Sequence, residues 1–178
     1  MAMLRTDERA LRARLAACAG LVVLIACASA ALASDADLIV PGERIGDLPP
    51  IGTAGDAVRA MDFDRTFDVP TGSGFQWRNA ADQTVWMLYV CASTDTVTAV
   101  YVYTAPGNER FATAEGIGLT TSEADVLALL GAPQDVSEFR DDRSLRYAMT
   151  DGTAGLTIVY KTGDRTAPFL IMVAVRCE

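Results

Sequence analysis

The chain of 178 residues has no histidine and a single lysine. Without imidazole it lacks the commonest general base, the usual activator of a serine or cysteine nucleophile, and the commonest nitrogen ligand for zinc. Positive charge is also scarce: beyond residue 33 there are 11 basic and 21 acidic residues, a net charge of −10. Nucleic acid and anionic lipid surfaces both require clustered positive charge, so the composition argues against either as a partner. The acidic surplus favours solubility and suits a basic protein partner. Thr71-Gly72-Ser73-Gly74 is rich in glycine but lacks the lysine of a phosphate loop, and Ser73 has no base in sight. Asp62, Asp64 and Asp68 are the densest carboxylates, yet no glycine-bearing loop with a bidentate glutamate follows at EF-hand spacing. The expectation is a protein with no catalytic residues, no cofactor and no metal site.

What is present begins at the N-terminus. Arg9, Arg12 and Arg14 precede an apolar run from Leu15 to Ala26, which gives way to small residues and then to a polar sequence from Ser34. Residues 1–33 therefore read as an export signal, too short for a comfortable membrane span. Its end has two readings. Leu24-Ile25-Ala26-Cys27 resembles the lipobox of bacterial lipoproteins, which would make Cys27 a lipidated first residue and the only membrane attachment, with Ala28 favouring the outer membrane. Ala31-Leu32-Ala33 is an ordinary A-x-A cleavage site, which would release a soluble periplasmic or secreted protein.

Of the four cysteines, Cys18 falls within the signal and Cys27 is either removed or lipidated, leaving Cys91 and Cys177. In an oxidising compartment two such residues pair, and each ends a predicted strand, so a Cys91–Cys177 disulfide is expected.

The remainder reads as two similar halves, 34–105 and 106–178. In the second, Thr120 and Glu123 have capping-box spacing, Val126, Leu127, Leu129 and Leu130 form an apolar stripe, and Gly131 with Pro133 ends the helix. Strands follow over 145–149, 156–160 and 169–176, separated by Asp151-Gly152 and Thr162-Gly163-Asp164. In the first half Thr53 caps a short helix through Val58 and Met61, and strands follow over 75–78, 85–92 and 97–104. The predicted fold class is α+β: two tandem pseudo-repeats, each a short helix packed on a three-stranded antiparallel meander.

The run Gly116-Ile117-Gly118-Leu119-Thr120-Thr121-Ser122-Glu123, with Val126-Leu127-Ala128-Leu129-Leu130-Gly131-Ala132-Pro133, Tyr147 and Gly155-Leu156-Thr157-Ile158, resembles the SmpA/OmlA (BamE-like) lipoprotein domain. The tandem arrangement is similar to that of the β-lactamase inhibitory proteins. The first half matches loosely, having Met61-Asp62-Phe63 where the motif has Leu-Leu-Gly-x-Pro. The resemblance implies a module for binding or assembly rather than an active site.

Aromatic residues concentrate on the predicted strands of the first half. Tyr101 and Tyr103 share one face of their strand, with Val100 and Val102 on the other. Since a helix covers only one face of a sheet, Trp77, Trp86, Tyr101 and Tyr103 are the candidate binding residues. The expected function is a non-enzymatic envelope module that binds or scaffolds protein. The alternatives are a secreted enzyme inhibitor, which an acidic aromatic sheet face would favour, and a small-ligand carrier or enzyme, which would need a deep polar pocket.

Overall fold

The computed structural model describes residues 34–178. The export signal, the lipidation candidate Cys27 and the cleavage site all lie outside those residues. No helix among the described residues is long and apolar enough to cross a membrane.

The strands are β1 (Leu38–Val40), β2 (Arg44–Ile45), β3 (Arg65–Val69), β4 (Gly72–Arg78), β5 (Thr84–Cys91), β6 (Thr96–Tyr103), β7 (Ala112–Thr113), β8 (Asp135–Phe139), β9 (Asp142–Thr150), β10 (Thr153–Lys161) and β11 (Leu170–Ala174). Among the described residues the α-helices are α1 (Gly55–Arg59) and α2 (Glu123–Leu130). This corrects the expected fold class. The described protein is mostly β, and in place of two helix-on-meander units it has one antiparallel sheet of eight strands, ordered β3-β4-β5-β6-β11-β10-β9-β8.

Two physical reasons explain the difference. First, β6 and β11 carry apolar residues on both faces, and a long apolar edge strand is an aggregation hazard. They pair with each other instead, Val100 opposite Val173 and Tyr101 opposite Met172, which fuses the halves into one sheet. Second, each half holds a fourth strand, β3 or β8, that reads as polar loop because it lies at a sheet edge with most of its residues exposed.

The helices start differently from the expectation as well. In α2 the cap is Ser122, whose hydroxyl oxygen accepts from the Asp125 amide at 3.2 Å, two residues past the expected Thr120. In α1 the cap position is Ala54, with no side-chain bond, and Thr53 donates to the Pro50 carbonyl instead. Gly131 does end α2, at φ +75°, a conformation a side chain would resist.

Strand pairing sorts the side chains into two faces. One row runs Trp77, Trp86, Val102, Ile171, Ile158 and Leu145 across β4 to β9. These residues belong to, or pack against, a single buried cluster. The same cluster takes Val58 from α1, Val126 from α2, and Ile39, Ile45 and Phe111 from in and around the small sheet β2-β1-β7. The helices and the small sheet therefore cover the same face, and the core lies between the layers.

Cys91 and Cys177 stand at disulfide distance, with Cα atoms 5.6 Å apart. Cys91 is the last residue of β5 and is fully buried, while Cys177 follows β11, so the bridge closes over the seam between the halves.

Candidate functional site

The opposite face of the sheet is built from the alternate residues. Its central row is Gln76, Met87, Tyr101, Met172, Thr157 and Arg146, each opposite the next. On one side of it, Phe67, Gly74, Tyr89, Ala99 and Ala174 form a second row. On the other, Tyr103 lies opposite Leu170, which lies opposite Val159. None of these residues belongs to the buried cluster, and Tyr89, Tyr101, Tyr103 and Met172 are half-buried. This face presents three phenols and the Met172 thioether on a floor of buried residues that includes Met87, Ala99, Thr157, Val159 and Ala174.

Local sequence explains its relief. Gly74 leaves room for the Phe67 ring, which a Cβ at that position would strike. The hydroxyls of Tyr89 and Thr71 share a hydrogen bond of 2.6 Å, which holds the Tyr89 ring. Arg146 is ion-paired with Asp135 and donates to Ser137 Oγ at 2.9 Å, so its charge is balanced within the fold. Thr157 is 4 % exposed and its hydroxyl has no partner among the described residues. Beyond the small residues Ala174 and Gly155 lies a cleft of about 550 Å³, bordered by Thr150, Thr153, Arg176 and Glu178.

Burial pushes the Tyr101 phenol up to about 12, helped by the neighbouring Tyr103 and Tyr89. Burial raises Tyr103 as well. An unfolded tyrosine ionises near about pH 10. Between that pH and about 12 the folded chain therefore keeps a proton on Tyr101 that the unfolded chain has lost, and stability falls as pH rises through this window. The urea midpoint is expected to drop above about pH 10, and to drop less steeply in Tyr101→Phe. Equal slopes for both proteins would show that Tyr101 is not held in a desolvated setting.

The structure separates the four aromatic candidates. Tyr101 and Tyr103 lie together on the open face. Trp77 and Trp86 lie on the helix-covered face, stacked with ring centroids 3.6 Å apart. Phe63 packs edge-on against both Phe75 and Trp77, and the Trp77 indole donates to the Asp62 carbonyl. The tryptophans thus fix the loop after α1, and the parity of their strands, not their residue type, places them there. Tyr89, an aromatic of the first-half strands that was not among the four candidates, joins the open face, as do Met87 and Met172, which the sequence did not single out. The alternation of Met87 and Tyr89 with Leu88 was the available signal.

Chemically the open face offers hydroxyls, thioethers and ring surface. No group of three or more His, Cys, Asp or Glu residues is placed to hold a metal among the described residues. Comparison with known proteins finds no matching family model, no matching curated protein and no matching solved structure, so the meaning of the face rests on its own geometry.

Proposed function

We propose that this chain is an exported, non-enzymatic envelope protein that binds another protein through the open face of its eight-stranded sheet. One observation carries the reading: Tyr89, Tyr101, Tyr103 and Met172 share the sheet face opposite the helices and each keeps part of its surface exposed, with Met87 buried between them. Tyrosine and methionine supply large contact area with few frozen rotamers, and both are enriched in protein interfaces. The acidic surplus of the chain suits a basic partner and would speed its approach. The BamE-like motif over 116–133 and the signal-like N-terminus support the same reading. The cleft beside Gly155 is the one feature that favours a small-ligand carrier instead.

The test is affinity capture of envelope proteins with the full chain and with a Tyr101→Ala, Tyr103→Ala variant. Loss of a specific partner by the variant, at unchanged folded content, is expected, since central aromatic truncations typically cost about 2 kcal/mol or more, roughly thirtyfold in affinity. Equal recovery by both proteins would remove the tyrosine face as the recognition surface.

A further inference from the structure

The cleft of about 550 Å³ beside Gly155 is large enough for a small molecule. Three small residues keep its floor low. Ala148, Gly155 and Ala174 stand side by side on β9, β10 and β11, where the neighbouring row carries Arg146, Thr157 and Met172. The backbone is shaped to the same end. Ala148 sits at φ +53°, a left-handed conformation that an alanine resists and that persists only where the surroundings fix it. The Gly42 amide donates to the Gly155 carbonyl at 2.7 Å, which draws the turn between β1 and β2 against one side of the cleft. A Cβ on Gly155 would come within 3.0 Å of the Ala148 carbonyl oxygen.

The rim carries charge of both signs, and the fold matches none of it. Eight of the eleven basic residues beyond residue 33 are ion-paired, and Arg176 is not, although Asp151 and Glu178 border the same cleft. The Arg176 guanidinium reaches the Asp151 backbone carbonyl at 3.5 Å instead of a carboxylate. Among the described residues the Asp151 and Glu178 carboxylates accept no hydrogen bond; only their backbone oxygens do. All three charged residues are exposed, and the hydroxyls of Thr150 and Thr153 stand beside them without a partner among the described residues.

We propose that this cleft binds a small zwitterion, an α-amino acid or dipeptide with both ends free. The charges on the rim select this class. A purely anionic ligand would meet Asp151 and Glu178, and a purely cationic one would meet Arg176, so either leaves one sign uncompensated. A ligand with an ammonium and a carboxylate satisfies both. The carboxylate accepts from Arg176 and the threonine hydroxyls, and the ammonium donates to Asp151 and Glu178. The low floor of Ala148, Gly155 and Ala174 takes a methyl or another small side chain. The site goes beyond the protein-binding reading of the tyrosine face and does not depend on it.

The test titrates the full chain with alanyl-alanine and follows the backbone amides by NMR. Saturable shifts are expected at Thr153, Gly155 and Ala174, with β3 unmoved. N-acetyl-alanyl-alanine lacks the ammonium and alanyl-alanine amide lacks the carboxylate. Each should bind about tenfold or more weakly than the parent. Arg176→Gln alters an exposed side chain that joins no ion pair among the described residues, so the fold should survive it. It should weaken alanyl-alanine to the level of the amide and leave the amide bound no more weakly than before. Three results would overturn the proposal. One is no saturable shift at Gly155 up to about 10 mM dipeptide. Another is either blocked form binding as tightly as the parent. The third is unchanged binding of alanyl-alanine by Arg176→Gln.

Discussion

Replacing Cys91 and Cys177 with alanine, or reducing the pair, is expected to lower stability by about 4 kcal/mol and the melting temperature by roughly 10–15 °C. The closed loop spans 86 residues, so the bridge removes a large share of the unfolded chain's freedom. Its position makes the effect structural as well. It joins the end of β5, in the first half, to the tail beyond β11, in the second; in the large sheet the halves meet where β6 pairs with β11, and in the small sheet where β1 pairs with β7. The tail is otherwise attached by few bonds, among them the Val175 amide donating to the Thr98 carbonyl at 2.9 Å. Reduction should therefore speed exchange of the Val175 amide before that of the central strands. A melting temperature that moves by less than about 3 °C would mean that the β6–β11 and β1–β7 pairings hold the halves together without the bridge.

The disulfide partners were legible in the sequence because two cysteines remain once residues 1–33 are set aside as the expected signal. Six of the eight strands of the large sheet were legible too, through alternation and branched residues. Invisible were the two edge strands, since Arg65-Thr66-Phe67-Asp68-Val69 and Asp135-Val136-Ser137-Glu138-Phe139 alternate without a buried face and resemble loops. Missing them changed the fold class. With three strands per half, each unit looks complete under its own helix. With four, and with β6 and β11 apolar on both faces, the low-energy arrangement is one continuous sheet. Helices of five and eight residues are in any case too short to cover separate meanders, and the small sheet β2-β1-β7 shares the work of covering the core.

The aromatic site was half legible for a related reason. Strand parity is exact along a regular strand, so Tyr101 and Tyr103 opposite Val100 and Val102 could be assigned to faces directly. Relating β4 and β5 to that strand needs the register of pairing. It also needs the irregularities between Tyr89 and Val90 and between Trp77 and Arg78, which no local pattern discloses. Register is what puts Met87 beside Tyr101 and sends Trp77 and Trp86 to the core side.

Glu123→Ala is expected to cost about 3 kcal/mol, although the sequence offers Glu123 only as a capping residue. Its side chain is 7 % exposed and lies inside the fold instead of reaching back over the helix start. One oxygen accepts from Arg143 Nε at 2.9 Å, and the other lies 3.4 Å from Arg165 Nε. Its amide donates to the Arg165 carbonyl at 3.0 Å, tying α2 to the loop before β11. Close by, the buried Tyr160 hydroxyl donates to the Thr121 carbonyl at 3.0 Å. Burial raises the Tyr160 pKa, and the Glu123 charge raises it further. Removing the carboxylate leaves Arg143, itself only 21 % exposed, with Glu138 as its sole remaining acidic partner among the described residues. The loss of a buried partner, more than the loss of attraction, sets the size of the effect. Glu123→Gln keeps an acceptor for Arg143 and should cost about half as much. Combining Glu123→Leu with Arg143→Leu should recover part of the loss, because no uncompensated charge remains. Urea unfolding of the three variants checks the series, and the ordering should persist at high salt, where exposed pairs are screened. A cost below about 1 kcal/mol for Glu123→Ala would place the pair among ordinary surface contacts and leave α2 held by Val126 and Leu130 alone.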